Sequence, residues 1–150
     1  EPAKVFGNHD PSKRDLLLEY FVPLGQFSTF VKKAAPIIKQ EYDSLLNVTV
    51  REIAQDVDSA LPYAREDMFG LVILFTIDRT IDAEKGISKM ASQLIDLADS
   101  LGGTFYLPYR NFATPEQIRR GYPDFSRFLA KKKELDPQEI FSSGFYKQYR

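Results

Sequence analysis

The sequence predicts an α+β domain whose strands and helices run β-α-β-β-α-β, with further helices behind them. Two observations carry this. Apolar spacing switches repeatedly between a strand period and a helix period, and glycine or proline stands at the switch points. At 150 residues, 43% hydrophobic and 27% charged, the chain suits a single domain over 1–150. A domain of this size buries roughly 70% of its extended-chain surface, so it folds without a disulfide or metal staple.

Residues 15–23 are apolar, aromatic and β-branched, and Pro23 and Gly25 close them, so a strand is expected there. Phe27, Phe30, Val31, Ala34, Ile37, Ile38 and Tyr42 then follow a helical face, which predicts a helix over 26–42 with a kink near Lys32 imposed by Pro36. Residues 47–53 alternate as a half-buried strand, and 68–78 form a longer, more apolar one. Between them, 55–67 is acidic, carries Pro62 and reads as a loop too long for a hairpin turn. From Asp82, the residues Ile87, Met90, Ala91, Leu94, Leu97, Ala98 and Leu101 share one helical face, and Gly102-Gly103 ends it. Residues 104–107 read as the fourth strand, stopped by Pro108. This order is the ferredoxin-like split βαβ pattern, with an antiparallel sheet and both helices on one face. In the tail, Thr114-Pro115-Glu116-Gln117 is a capping-box start, 124–135 carries Phe125, Phe128 and Leu129 on a helical face, and Asp136-Pro137-Gln138-Glu139 repeats the start signal.

Composition excludes several functions. With no cysteine, thiol catalysis and thiolate metal sites are impossible, and with His9 the only histidine neither a histidine metal centre nor a serine-histidine triad is expected; no metal is assigned. A net charge of −1 gives no field for nucleic acid or anionic lipid, and Lys131, Lys132 and Lys133 read as the solvated face of a helix. The longest apolar run, Leu71 to Phe75, is too short to span a bilayer and no signal-peptide pattern opens the chain, so a cytoplasmic protein without a transmembrane segment is expected.

Side chains alternate across a strand, so parity sorts them between the two faces of the sheet. Leu16, Leu18, Tyr20, Val22, Val48, Val50, Phe69, Leu71, Ile73, Phe75 and Ile77 fall on the helix side. The other side gathers Glu19, Asn47, Thr49, Arg51 and Thr76 among Leu17, Phe21, Val72 and Leu74. Mixed apolar and polar composition suits a binding surface or a docking site for another domain, and these five polar residues are the candidate substrate-binding set. Glu19 and Arg51 also fit a purely structural ion pair across the sheet.

Gly102 to Asn111, Tyr122-Pro123-Asp124-Phe125, Leu135-Asp136-Pro137 and Ile140-Phe141-Ser142-Ser143 resemble the C-terminal part of FAD-linked oxidases of the vanillyl-alcohol oxidase type. Within these the chain looks closest to the group of decaprenylphosphoryl-ribose, aldonolactone and alditol oxidases. Glu19 to Pro23 and Leu46-Asn47-Val48 extend the likeness upstream. The resemblance implies a substrate or cap domain that roofs the flavin, with FAD held mainly by the protein's own N-terminal FAD-binding domain, whose glycine-rich loops this chain lacks. It implies oxidation of a sugar-like or polyol alcohol by hydride transfer. On its own the chain is then expected neither to hold FAD tightly nor to turn over substrate.

By position, Tyr106 matches a tyrosine near flavin and substrate and is the candidate cofactor-binding residue. Tyr109 falls where ribose-oxidase members carry a lysine, so that role is lost or passes to Arg110; Tyr109 and Arg110 are the candidate catalytic residues. Glu19 matches an acidic strand residue of the alditol-type members, and the 55–67 loop resembles segments that cover the site. The other reading is a non-catalytic ferredoxin-like module that binds a ligand or partner through the same face.

Overall fold

The computed structural model describes residues 8–150, except for the side chain of Tyr42. The strands are β1 (Lys13–Pro23), β2 (Leu45–Ile53), β3 (Met68–Asp78) and β4 (Thr104–Phe105); the helices are α1 (Phe27–Ile38), α2 (Ile81–Ser100), α3 (Pro115–Gly121), α4 (Phe125–Leu135) and α5 (Gly144–Tyr149). The sheet order is β2-β3-β1-β4 with every neighbour antiparallel. The fold is therefore α+β with the expected β-α-β-β-α-β order and a helical tail.

β1 and β3 pair from end to end because both carry unbroken apolar alternation: Leu16, Leu18, Tyr20 and Val22 lie opposite Phe75, Ile73, Leu71 and Phe69. All of these but Phe69, which packs on Phe27, meet Phe30 and Ala34 of α1 and Ile87, Met90, Leu94 and Ala98 of α2 in the main core. Tyr20 is sealed there, and burial pushes its phenol well above the ordinary value.

α1 is shorter than its apolar period. It passes Pro36 without interruption, ends at Ile38 and gives way to a 3-10 segment over Lys39–Ser44, where Glu41 leaves helical geometry at φ −118°. Pro36 offers no N–H to Lys32, and the expected kink becomes an early stop two residues later. The expectation for Tyr42 on the helix face concerns a side chain outside the described set. α2 starts where Thr80 Oγ1 accepts from Ala83 N at 3.2 Å, and closes with Gly102 at φ +78°. β4 has two residues rather than the expected 104–107, although Tyr106 N still donates to Glu19 O at 3.0 Å.

In the tail, Thr114 and Gln117 form the expected capping box, and buried Gln117 also donates to Ser92 O at 3.0 Å, tying α3 to α2. The second start signal does not start a helix. Asp136 instead accepts from Ile140 N and Phe141 N, both at 3.0 Å, and pairs with Lys132, while Glu139 takes φ +53°, which a helix cannot continue. α5 waits for Ser143, whose hydroxyl accepts from Tyr146 N at 3.1 Å. Lys132 and the two amides hold the Asp136 carboxyl below the usual carboxylate range. A depressed folded pKa gives stability that is present above the unfolded value of about 3.9 and is lost as pH falls through the folded one. Asp136→Asn is therefore expected to lower Tm at pH 6 and to narrow its gap to the parent by pH 3, as read from melting curves at the two values.

Candidate functional site

The face away from α1 and α2 is organised in rows across the strands. Glu19, Val72 and Thr49 form one row and Phe21, Gly70 and Arg51 the next, while Leu17, Leu74 and Asn47 precede them. Gly70 is needed here for space. A Cβ at this position would lie 3.2 Å from the Phe21 ring and 3.3 Å from Ile53, so its absence leaves room for the ring beside β3. Arg51 reaches across β3 and pairs with Glu19 Oε1. The Glu19 side chain is 2% exposed and that of Arg51 is 52% exposed, so a sealed carboxylate holds a guanidinium whose outer edge faces solvent.

Residues 54–67 cross this face as a loop pinned at its base. Asp56 N donates to Ala64 O at 2.8 Å, Gln55 N to Asp67 Oδ1 at 2.9 Å and Gln55 Nε2 to Arg65 O at 2.8 Å. Thr104 Oγ1 donates to the Tyr63 carbonyl. The loop thereby drops Ala64 and Tyr63 onto the sheet, and Phe21, Ala64 and Met68 form a second small core. The open face expected from parity is thus partly closed by the chain itself, and Phe21 and Glu19 are buried under it rather than displayed.

The rim is a run of tyrosines. The Tyr63 ring lies 4.6 Å from Phe21 and stands edge-on to Tyr106 at 5.8 Å; Tyr106 in turn stands edge-on to Tyr109 at 4.8 Å. All three are half-buried. The hydroxyls of Tyr20, Tyr122, Tyr146 and Tyr149 hydrogen-bond within the chain, whereas those of Tyr63, Tyr106 and Tyr109 have no such partner among the described residues. Burial, then the charge of Glu19, raises the Tyr109 phenol above its ordinary value, so at neutral pH it is a hydrogen-bond donor and not a phenolate. The hydrogen bond and charge of Glu19 raise the Arg51 guanidinium still further, which fixes its positive charge.

Glu19, Arg51, Tyr106 and Tyr109 therefore come together. Thr49 stands in the Glu19 row, with Asn47 Nδ2 reaching its hydroxyl at 3.4 Å. Thr76 shares the face but sits at its far end, bonded to Asp15. Arg110 does not join: it pairs with Glu84 of α2, which Arg14 also contacts, and stacks 5.6 Å over Phe112, so it faces the helix side. The cation beside Tyr109 is Arg51, whose strand β2 is separated by β3 and β1 from β4, the strand that leads to Tyr109. Tyr63 was not among the expected site residues; the only signal for it was an aromatic residue in an otherwise acidic loop.

The tyrosine row can lie against a flat ring or a sugar face, and the guanidinium edge and free hydroxyls can hold hydroxyl oxygens. Among the described residues no three histidine, aspartate or glutamate side chains converge as metal ligands, and no helix is long and apolar enough to cross a membrane. Compared with known proteins, the chain matches no family model and no curated sequence.

Proposed function

We propose that this chain is the substrate-side domain of an FAD-dependent oxidoreductase that oxidises a sugar-like or polyol alcohol, its helix-free sheet face closing over a flavin held by the protein's own N-terminal domain. The observation that carries the reading is the convergence of the Glu19–Arg51 pair with three unused tyrosine hydroxyls on that one face. The resemblance of Gly102 to Asn111 and of the tail supports it. The aromatic row fits the flat ring and the substrate; the nucleotide part of FAD belongs on the other domain. A cytoplasmic setting goes with the same reading.

The chemistry that FAD would supply when bound is acceptance of the carbinol hydrogen as hydride. The hydroxyl proton would pass to water at the half-open rim, leaving negative charge on the substrate oxygen. Tyr109, a neutral phenol, donates to that oxygen, and the outer edge of Arg51 places a fixed positive charge beside it. Glu19 is a positioning residue that aims Arg51. Tyr106 and Tyr63 shape the wall against the ring, and Arg110 ties the 108–112 segment to α2.

The intact protein is expected to carry flavin absorbance that bleaches on titration with a polyol. Losing one donor to a developing oxyanion costs on the order of a hundredfold, so Tyr109→Phe should lower turnover by about that factor with Tm nearly unchanged, while Arg110→Ala should leave turnover within about threefold. Equal losses of Tm and turnover in Tyr109→Phe would assign the ring to structure. An intact protein without flavin would sink the enzyme reading in favour of a non-catalytic ligand- or partner-binding module.

A further inference from the structure

β2 is an edge strand. Among the described residues it pairs only with β3, and Leu46 through Glu52 are all exposed, so its outer N–H and C=O groups form an open template. On the helix side, Val48 and Val50 stay 41% and 45% exposed because α1 leaves a groove of ≈ 550 Å³ between itself and the strand, walled by Phe27, Val31, Ala34 and Ile38. An apolar groove beside an unpaired edge is what a strand-adding partner covers.

We propose that this edge takes a second copy of the same chain, the two β2 strands pairing antiparallel about a two-fold axis at Thr49. Such an axis requires a strand that complements itself, and β2 does. In that register Thr49 faces its own copy, and Val48 faces Val50 and Asn47 faces Arg51 along the backbone, each pair occurring twice, up to the bulge at Leu46. Valine meets valine on the helix side, while on the other side Arg51 stays turned inward to Glu19 and leaves the strand edge clear. Charge agrees with the register as well. Lys39 lines the groove at its Leu45 end, the end to which Glu52 of the second copy is brought. Both residues are exposed, and neither forms an ion pair among the described residues. The sheets of the two copies then run on as one, with the two grooves merged beneath it. The catalytic reading is not needed for this, since the groove lies on the helix side of the sheet and the tyrosine row on the other.

The mass of the intact protein in solution, measured by light scattering across a dilution series, tests it. The expected mass is twice that of one chain. Val48→Lys should return it to one chain with circular dichroism unchanged. Lys39→Glu and Glu52→Lys should each raise the dissociation constant, by about tenfold for one lost charge pair per half-interface; the double variant Lys39→Glu/Glu52→Lys should restore the parent value, a rescue that misfolding cannot imitate. The chain has no cysteine. Opposed residues in an antiparallel pair lie about 4.5–5.5 Å apart, within disulfide range, so Thr49→Cys should cross-link on mild oxidation. A single-chain mass at every concentration would overturn the proposal and leave the edge to a different partner. A dimer indifferent to Val48→Lys and to both charge reversals would overturn it too, by placing the interface elsewhere.

Discussion

Gly103→Ala is expected to destabilise the domain by about 3 kcal/mol or more, the upper end for forcing a methyl group into packed surroundings. A Cβ at Gly103 would collide with the carbonyl oxygens of Phe21 and Ala98 and lie 3.1 Å from Val22 Cγ1. Two of these neighbours are backbone, one in β1 and one in α2, and neither can swing aside as a side-chain end could. Gly103 N also donates to Ala98 O at 2.8 Å, so the residue cannot retreat without losing that bond. Gly102 is the internal control. Its constraint is conformational, φ +78°, and a Cβ there would meet only Pro23 Cγ at 3.8 Å, so Gly102→Ala should cost about 1 kcal/mol. Urea unfolding of both variants checks the order; comparable losses would mean that strand and helix do not crowd this position. Because Gly103 leads into β4 and Tyr106 N bonds Glu19 O, the same substitution should also disturb the tyrosine row.

The parts legible in the sequence are those that local period and local chemistry decide. β3 matches its expected residues and β1 extends two beyond them, because alternation over eleven residues leaves one register in which both faces are satisfied. Thr114-Pro115-Glu116-Gln117 was legible because a capping box closes within four residues. Parity also placed Glu19, Thr49 and Arg51 on one side of the sheet, since strand direction is all that assignment needs. What failed depends on distant partners. Asp136 carries the same start signal as Thr114, yet Lys132 and the amides of Ile140 and Phe141 claim its carboxylate. Arg110 is adjacent to Tyr109 in sequence, but Glu84, 26 residues upstream, draws its side chain to the opposite face. Tyr63 enters the site because its loop is pinned at its base by bonds spanning ten and twelve residues and its carbonyl is held by Thr104, 41 residues away, which no local pattern encodes. The same loop converts an exposed sheet face into a half-closed one.

Arg51→Met is expected to cost about 2 kcal/mol, and more than Glu19→Gln. The asymmetry follows from exposure. Removing the cation strands a carboxylate whose side chain is 2% exposed, whereas removing the carboxylate's charge frees a guanidinium that is already half in water. Breaking a fully buried pair costs about 3–5 kcal/mol, and the half-exposed Arg51 side lets water soften that figure. Glu19→Gln should cost about 1 kcal/mol, since the amide oxygen can still accept from Arg51. The double variant should recover much of the Arg51→Met loss, because a neutral amide beside a methionine leaves no charge uncompensated, giving a coupling of at least about 1 kcal/mol in a urea-unfolding cycle. Additive losses would mean that the two groups are held independently by the tyrosine rim. A large coupling would show instead that the pair bridging β1 and β2 over Gly70 and Val72 is a preset unit. Its solvent-facing guanidinium edge is then offered without reorganisation to whatever oxygen enters between Tyr63, Tyr106 and Tyr109.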